Sequence, residues 1–166
     1  MPRRHPKPGV QPVYRTKPLL AHVDDSYKSR GKFPEPTLCP QCGAVFEKGR
    51  WQWLRKPASA HSEMCPACHR IHDQYPAGYV KLEGEFLAQN RGEILNLVHN
   101  IEQREKAEHP LQRIMSIVDE NEGILVTTTD IHLARGIGEA VSHAYQGQLE
   151  LQYNTEENLL RVHWKR

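Results

Sequence analysis

The 166-residue chain contains no long hydrophobic run. Nothing in it approaches the roughly 20 consecutive apolar residues a membrane-spanning helix needs, so no membrane partner is expected. Aromatic residues are scarce at 7%, and apolar residues amount to 38%. The apolar share is below the roughly 45–50% usual for globular chains, a figure that also counts glycine. Part of the chain is therefore expected to lie outside any packed core. The familiar catalytic words are absent too. There is no Walker A loop, no Gly-x-Ser-x-Gly, no His-Glu-x-x-His and no dinucleotide fingerprint. The chain is accordingly read as a non-enzyme. Residues 1–10 are basic and Pro-rich with no apolar stretch behind them. A secretory signal is not expected on that pattern, and a cytoplasmic location is.

A strong net charge is missing as well, with 22 Lys+Arg against 20 Asp+Glu for a formal +2. The total conceals segregation. Residues 1–36 hold eight basic and three acidic residues, a net +5. Residues 37–82 hold six and three, a net +3. Residues 83–166 hold eight and fourteen, a net −6. A basic front half suggests contact with a polyanion.

Three segments follow from pattern. Residues 1–36 carry seven of the twelve prolines and no sustained apolar periodicity. Proline removes backbone donors and resists helix, so this basic arm is expected to be disordered when free. Residues 37–82 form a small loop-rich module with short strand-like pieces and no long helical pattern. Residues 83–166 read as a helix over 84–109 followed by a compact ββαββ domain. In the helix, Ile94, Leu95, Leu97, Val98 and Ile101 share a face, and Glu102, Glu105 and Glu108 are expected in solvent. Asp130 is placed to cap the helix of the ββαββ unit, and Gly147 to stop it. Gly136 and Gly138 inside that helix are read as allowing close packing. Leu149, Leu151 and Tyr153, then Leu160, Val162 and Trp164, alternate as strands. Oligomeric state is open, although a strand ending in Trp164 at a sheet edge could pair between copies.

Four cysteines are present, as Cys39-Pro-Gln-Cys42-Gly43 and Cys65-Pro-Ala-Cys68-His69. Two Cys-x-x-Cys pairs at this separation match a two-knuckle zinc ribbon. A two-residue gap lets one tight turn aim both sulfurs inward, and zinc favours four thiolates in a tetrahedron. Gly43 allows the chain to leave its turn with positive φ. A redox pair would not need two copies, and disulfides are not expected without a secretory signal. With all four positions filled by protein, one Zn2+ would be structural, not catalytic. His69 and His72 lie close by, but the cysteine set is complete without them.

Between the knuckles lies Gly49-Arg50-Trp51-Gln52-Trp53-Leu54-Arg55-Lys56. In a strand, Trp51 and Trp53 share one face. Two indoles beside cations suit stacking on unpaired bases, with the cations on phosphate. They also suit covering the ribbon core or docking on the helix, as small zinc modules often bury an aromatic residue, and the cations are the firmer candidates for the phosphate contact.

The combination of a Cys-Pro-x-Cys-Gly ribbon, an acidic helix and the run Gly123-Ile-Leu-Val-Thr-Thr-Thr-Asp-Ile-His-Leu-Ala-Arg-Gly-Ile-Gly-Glu-Ala-Val141 resembles the nonsense-mediated-decay protein Nmd-three family. The likeness spans roughly residues 37–145. It also resembles short bacterial proteins sharing the Gly-Arg-Trp-x-Trp, Cys-Pro-Ala-Cys and His-Leu-Ala-Arg words, over most of residues 25–166. The Nmd-three family binds the large ribosomal subunit and, in eukaryotes, acts as its export adaptor. Cys39, Cys42, Cys65 and Cys68 match one of that family's two zinc sites. Its later barrel-like domains and nuclear transport signals have no counterpart here. The resemblance therefore implies ribosome association and not export.

Together these readings predict an α+β protein: a disordered basic arm, a zinc ribbon held by four cysteines, then a helix and a ββαββ domain. The expected function is non-enzymatic RNA binding, associated with the ribosome, with ribosomal proteins as further candidate partners. Arg3, Arg4, Lys7, Arg15 and Lys17 of the arm, and Arg50, Trp51, Trp53, Arg55, Lys56 and Arg70 of the ribbon, are the expected nucleic-acid contacts. The alternative is a zinc-dependent protein–protein adaptor.

Overall fold

The computed structural model describes residues 31–166 together with 13–14 and 26–27. The cysteine-bearing part is built on four short strands. These are β2 (Thr37–Leu38), β3 (Val45–Glu47), β4 (Arg50–Gln52) and β5 (His61–Ser62), in the order β4-β3-β2-β5. A two-residue turn at Lys48 and Gly49 joins β3 to β4, and both residues adopt positive φ. The Lys48 and Gly49 amides donate to the Glu35 carboxylate at 3.0 and 2.9 Å, which fixes the hairpin tip. Helix α1 (Pro66–Asp73) follows β5. Pro66 opens it, where a missing amide costs nothing, and Gln74 ends it in the left-handed region.

The larger body is a six-stranded sheet. Its strands are β1 (Val13–Tyr14), β6 (Gly78–Glu83), β7 (Ile114–Glu120), β8 (Gly123–Thr128), β9 (Gln148–Asn154) and β10 (Leu159–Lys165). Their spatial order is β1-β9-β10-β6-β8-β7. Helices α2 (Glu85–Gln89), α3 (Arg91–Glu108) and α4 (Ile131–Tyr145) complete it. Helix α4 packs against β6, β8, β9 and β10, and α3 packs against α4. The core between them gathers Val80 and Leu82 of β6, Ile94 and Val98 of α3, Leu133, Ile137 and Val141 of α4, and Trp164 of β10.

The predicted ββαββ order is present as β7-β8-α4-β9-β10, and the fold is α+β. Three expectations change. First, the boundary at residue 82 is misplaced. Strand β6 is central in the large sheet, parallel to β10 and antiparallel to β8. Its alternation buries Val80 and Leu82 under α4 while Tyr79 and Lys81 face the other side. The loop-rich module therefore ends before Gly78. Second, Trp164 is not on a sheet edge. It is fully buried in an interior strand, and its indole donates to the Gln146 carbonyl at 2.6 Å. Among the described residues the outer strands are β7 and β1. The latter pairs in parallel with β9, Val13 against Glu150, inside the arm expected to be disordered. Third, Glu102 is not simply solvated. It turns inward and accepts the first amide of β7, from Ile114, at 2.7 Å.

The cap and glycine readings are specific. Asp130 accepts from the amides of His132 and Leu133 at 2.7 and 3.1 Å. A Cβ on Gly138 would collide with Val162, whereas one on Gly136 would meet nothing. Close packing is thus Gly138's role alone. No described helix is long and apolar enough to cross a membrane.

Candidate metal centre

The two Cys-x-x-Cys pairs converge by different local means. At the first, the Cys39 amide donates to Ala44 O at 2.8 Å and the Gly43 amide to Cys39 O at 3.0 Å. Gly43 has φ of 81°, so the turn closes where a side chain would be strained. The second pair is not a hairpin knuckle, as the spacing had suggested. Cys65 is the N-cap of α1, and its sulfur accepts from the Cys68 amide at 3.4 Å. Cys39 Sγ accepts from the Cys65 amide at 3.3 Å. Amide donors and a helix N-terminus both favour the thiolate form.

All four sulfurs lie within 4.8 Å of one another, and Cys42 and Cys65 are 3.8 Å apart. Four sulfurs bound about 2.3 Å from a zinc ion stand about 3.8 Å apart along each tetrahedral edge. The cysteines are free, and all but Cys42 are buried. The donor set, its spacing and its burial fit one structural zinc ion. His69 and His72 are outside the cluster.

A fifth side chain completes the site. Arg113, in the connection between α3 and β7, is only 7% exposed. Its guanidinium donates to Cys68 Sγ at 3.3 Å, Cys42 Sγ at 3.3 Å and Cys65 Sγ at 3.2 Å. Its Nε donates to Pro110 O at 2.8 Å. Thr129 of the Thr127-Thr128-Thr129-Asp130 run holds this connection in place. Thr129 Oγ1 donates to Leu111 O at 2.6 Å and accepts the Arg113 amide at 2.9 Å. Burying a guanidinium is unfavourable unless an anion compensates it. Neutral thiols would not do so. Four thiolates around a divalent ion carry a net −2, and Arg113 reduces that to −1.

The protonation of the metal-free cluster follows the same geometry. The hydrogen bond from Cys65, then the Ala44 amide and the Arg113 charge, outweigh burial at Cys42 and hold its thiol down at about 4. Cys65 is pushed up by that same bond and by burial, and Cys68 by burial. Burial opposes the charge on Arg113, but the bond to Cys68 and the charges of Cys65 and Cys42 outweigh it. Within the cluster the thiolate form is thus favoured at Cys42. Metal binding removes the remaining protons.

The predicted nucleic-acid contacts separate. Arg50, Arg55 and Lys56 are exposed, and among the described residues no carboxylate pairs with them. Trp51 is buried, packed edge-on against Phe46 and Phe33 at ring separations of 5.5 and 5.3 Å, so it is a core residue. Trp53 is 38% exposed, but its indole donates to Lys106 O at 2.6 Å and docks the hairpin on α3. Arg70 is a correction. It is 3% exposed, with its guanidinium 4.4 Å from the Tyr27 ring and donating to Tyr75 O at 3.1 Å. Two aromatic rings and a carbonyl take up its cation, which leaves it unavailable to a phosphate. Arg3, Arg4, Lys7, Arg15 and Lys17 lie outside the described residues. Comparisons with known protein families, with curated proteins and with solved structures find no match.

Proposed function

We propose that this chain is a non-enzymatic RNA-binding protein that associates with ribosomes, and that its zinc is structural. The observation that carries the reading is the row of exposed cations at Arg50, Arg55 and Lys56, unpaired among the described residues, on and after the zinc-held hairpin. A cation with no internal carboxylate partner is free to neutralise phosphate. The charge segregation, with +5 on residues 1–36 and +3 on 37–82 against −6 on 83–166, supports the same polarity. The partial resemblance to a ribosome-binding family adds the choice of partner.

The test is sedimentation of tagged protein through a sucrose gradient at low and high salt, with and without nuclease. Co-migration with ribosomal particles that salt or nuclease abolishes is expected. For single-stranded RNA, log affinity falls with log salt at a slope of about 0.7 per phosphate neutralised. Replacing Arg50, Arg55 and Lys56 together by Ala should therefore reduce the slope by about 2. A protein-adaptor reading is favoured by one feature, the outer strand β7, where Val118 is 51% exposed. Recovery of one protein partner after full nuclease digestion would support that reading instead.

A further inference from the structure

Between the ribbon hairpin and the 109–112 connection lies a cavity of about 490 Å3. That is within the ~300–1,000 Å3 of typical small-ligand sites. One wall is aromatic. Phe33, Phe46 and Trp51 pack edge-to-face at centroid separations of 5.1, 5.3 and 5.5 Å. Three rings held against one another in this way form a fixed apolar side to the cavity. Pro110, Leu111 and Asp130 also line the cavity, and Gln112 adds an amide with both donor and acceptor capacity. Lys32 and Arg50 also border it, and both are exposed.

We infer that this cavity receives one unpaired nucleotide of an RNA strand, the base entering against the aromatic side and the flanking phosphates meeting Lys32 and Arg50. The inference rests on the RNA-binding reading above and gives it a location. An apolar, aromatic-walled cleft bordered by cations matches the two halves of a nucleotide, a planar base and an anionic linkage. A paired base could not enter, because its faces are covered by its neighbours in the duplex. Arg50 is shared with the row Arg50, Arg55 and Lys56, so the strand can continue along the exposed hairpin. The cavity also depends on the metal centre. Arg113 holds the 109–113 connection to the cysteine sulfurs, and Pro66, the first residue of α1 between the second pair of cysteines, lines the same space.

The test uses full-length, zinc-loaded protein and four 12-nucleotide probes: oligouridine, oligoadenosine, an RNA duplex, and an abasic ribose-phosphate strand of equal charge. Single strands bearing bases should bind about tenfold more tightly than the abasic strand, from stacking of a base in the cavity. Phe33→Ala should erase most of that difference while leaving the abasic strand's affinity unchanged, and Gln112→Ala, which removes an amide but no ring, should reduce it by less. Zinc content of one per chain checks that the variants fold. A photo-crosslinking 4-thiouridine strand, needing no variant, should attach to residues 31–33 or 109–112. Equal affinity for base-bearing and abasic strands, or crosslinks confined to residues 53–56, would overturn the cavity while leaving RNA binding intact. No binding of any probe would overturn both.

Discussion

Arg113→Ala is the substitution that examines the metal centre most closely. The guanidinium makes four donations, three to sulfur at 3.2–3.3 Å and one to Pro110 O at 2.8 Å. Removing one partner from a buried charge pair typically costs about 3–5 kcal/mol. Part of that is felt by the metal. Groups that hydrogen-bond to metal ligands typically contribute 10–100-fold to metal affinity when removed. Zinc affinity of Arg113→Ala should therefore fall by about 10–100-fold, read by competition with a chromophoric chelator. The remaining loss should appear as lower stability of the zinc-bound fold. The effect should be smaller in the metal-free protein, because without zinc residues 37–74 no longer hold the sulfurs around the guanidinium. Arg113→Lys should fall between, since it keeps the charge but loses the planar fork of donors. If Arg113→Ala kept wild-type zinc affinity and the same melting temperature with and without zinc, the charge argument would be wrong.

Three further outcomes are expected. Chelation, or Cys42→Ser, should collapse the amide signals of residues 37–74 in a heteronuclear NMR spectrum while those of β6, β8, β9 and β10 stay dispersed, because zinc supplies on the order of 10 kcal/mol to such modules. Gly138→Ala should destabilise by about 1–3 kcal/mol through collision with Val162, whereas Gly136→Ala, with open space around it, should stabilise by up to about 1 kcal/mol in the same denaturant titration. At Glu83 burial pushes the carboxyl up, but the His163 bond at 2.7 Å and the charges of His163, Lys81 and Lys165 hold it below the ordinary value. A depressed carboxylate stabilises the fold above its unfolded pKa of about 4.3 and loses that contribution as pH falls through the folded value. Glu83→Gln should therefore cost about 1–2 kcal/mol at pH 7 and flatten the acid side of the stability curve.

What the sequence made legible was what local chemistry determines. The cysteine spacing identified the ligand set because a Cys-x-x-Cys turn aims two sulfurs one way in either a hairpin or a helix start. Asp130 and the alternation of β9 and β10 were equally local. The misassignments have a common cause in distant partners. The alternation of Gly78–Glu83 marks a half-buried strand but cannot say which sheet buries it, and β10 and β8 lie far along the chain. Helix α1 is short and capped by a cysteine sulfur, so the usual Ser, Thr or Asp signal is missing. Arg70 looked like a surface cation because nothing in its neighbourhood announces that Tyr27 will stack on it. Arg113 sits between Gln112 and Ile114 in no motif at all. Its signal is structural: a buried guanidinium aimed at sulfur requires negative charge there.

Zinc K-edge X-ray absorption on the purified chain tests the central claim most directly. One zinc per chain, bound by four sulfurs at about 2.3 Å with no oxygen or nitrogen neighbour, is the expected result. A mixed sulfur and oxygen or nitrogen shell, or substoichiometric zinc in a folded protein, would contradict a closed structural site and the account built on it.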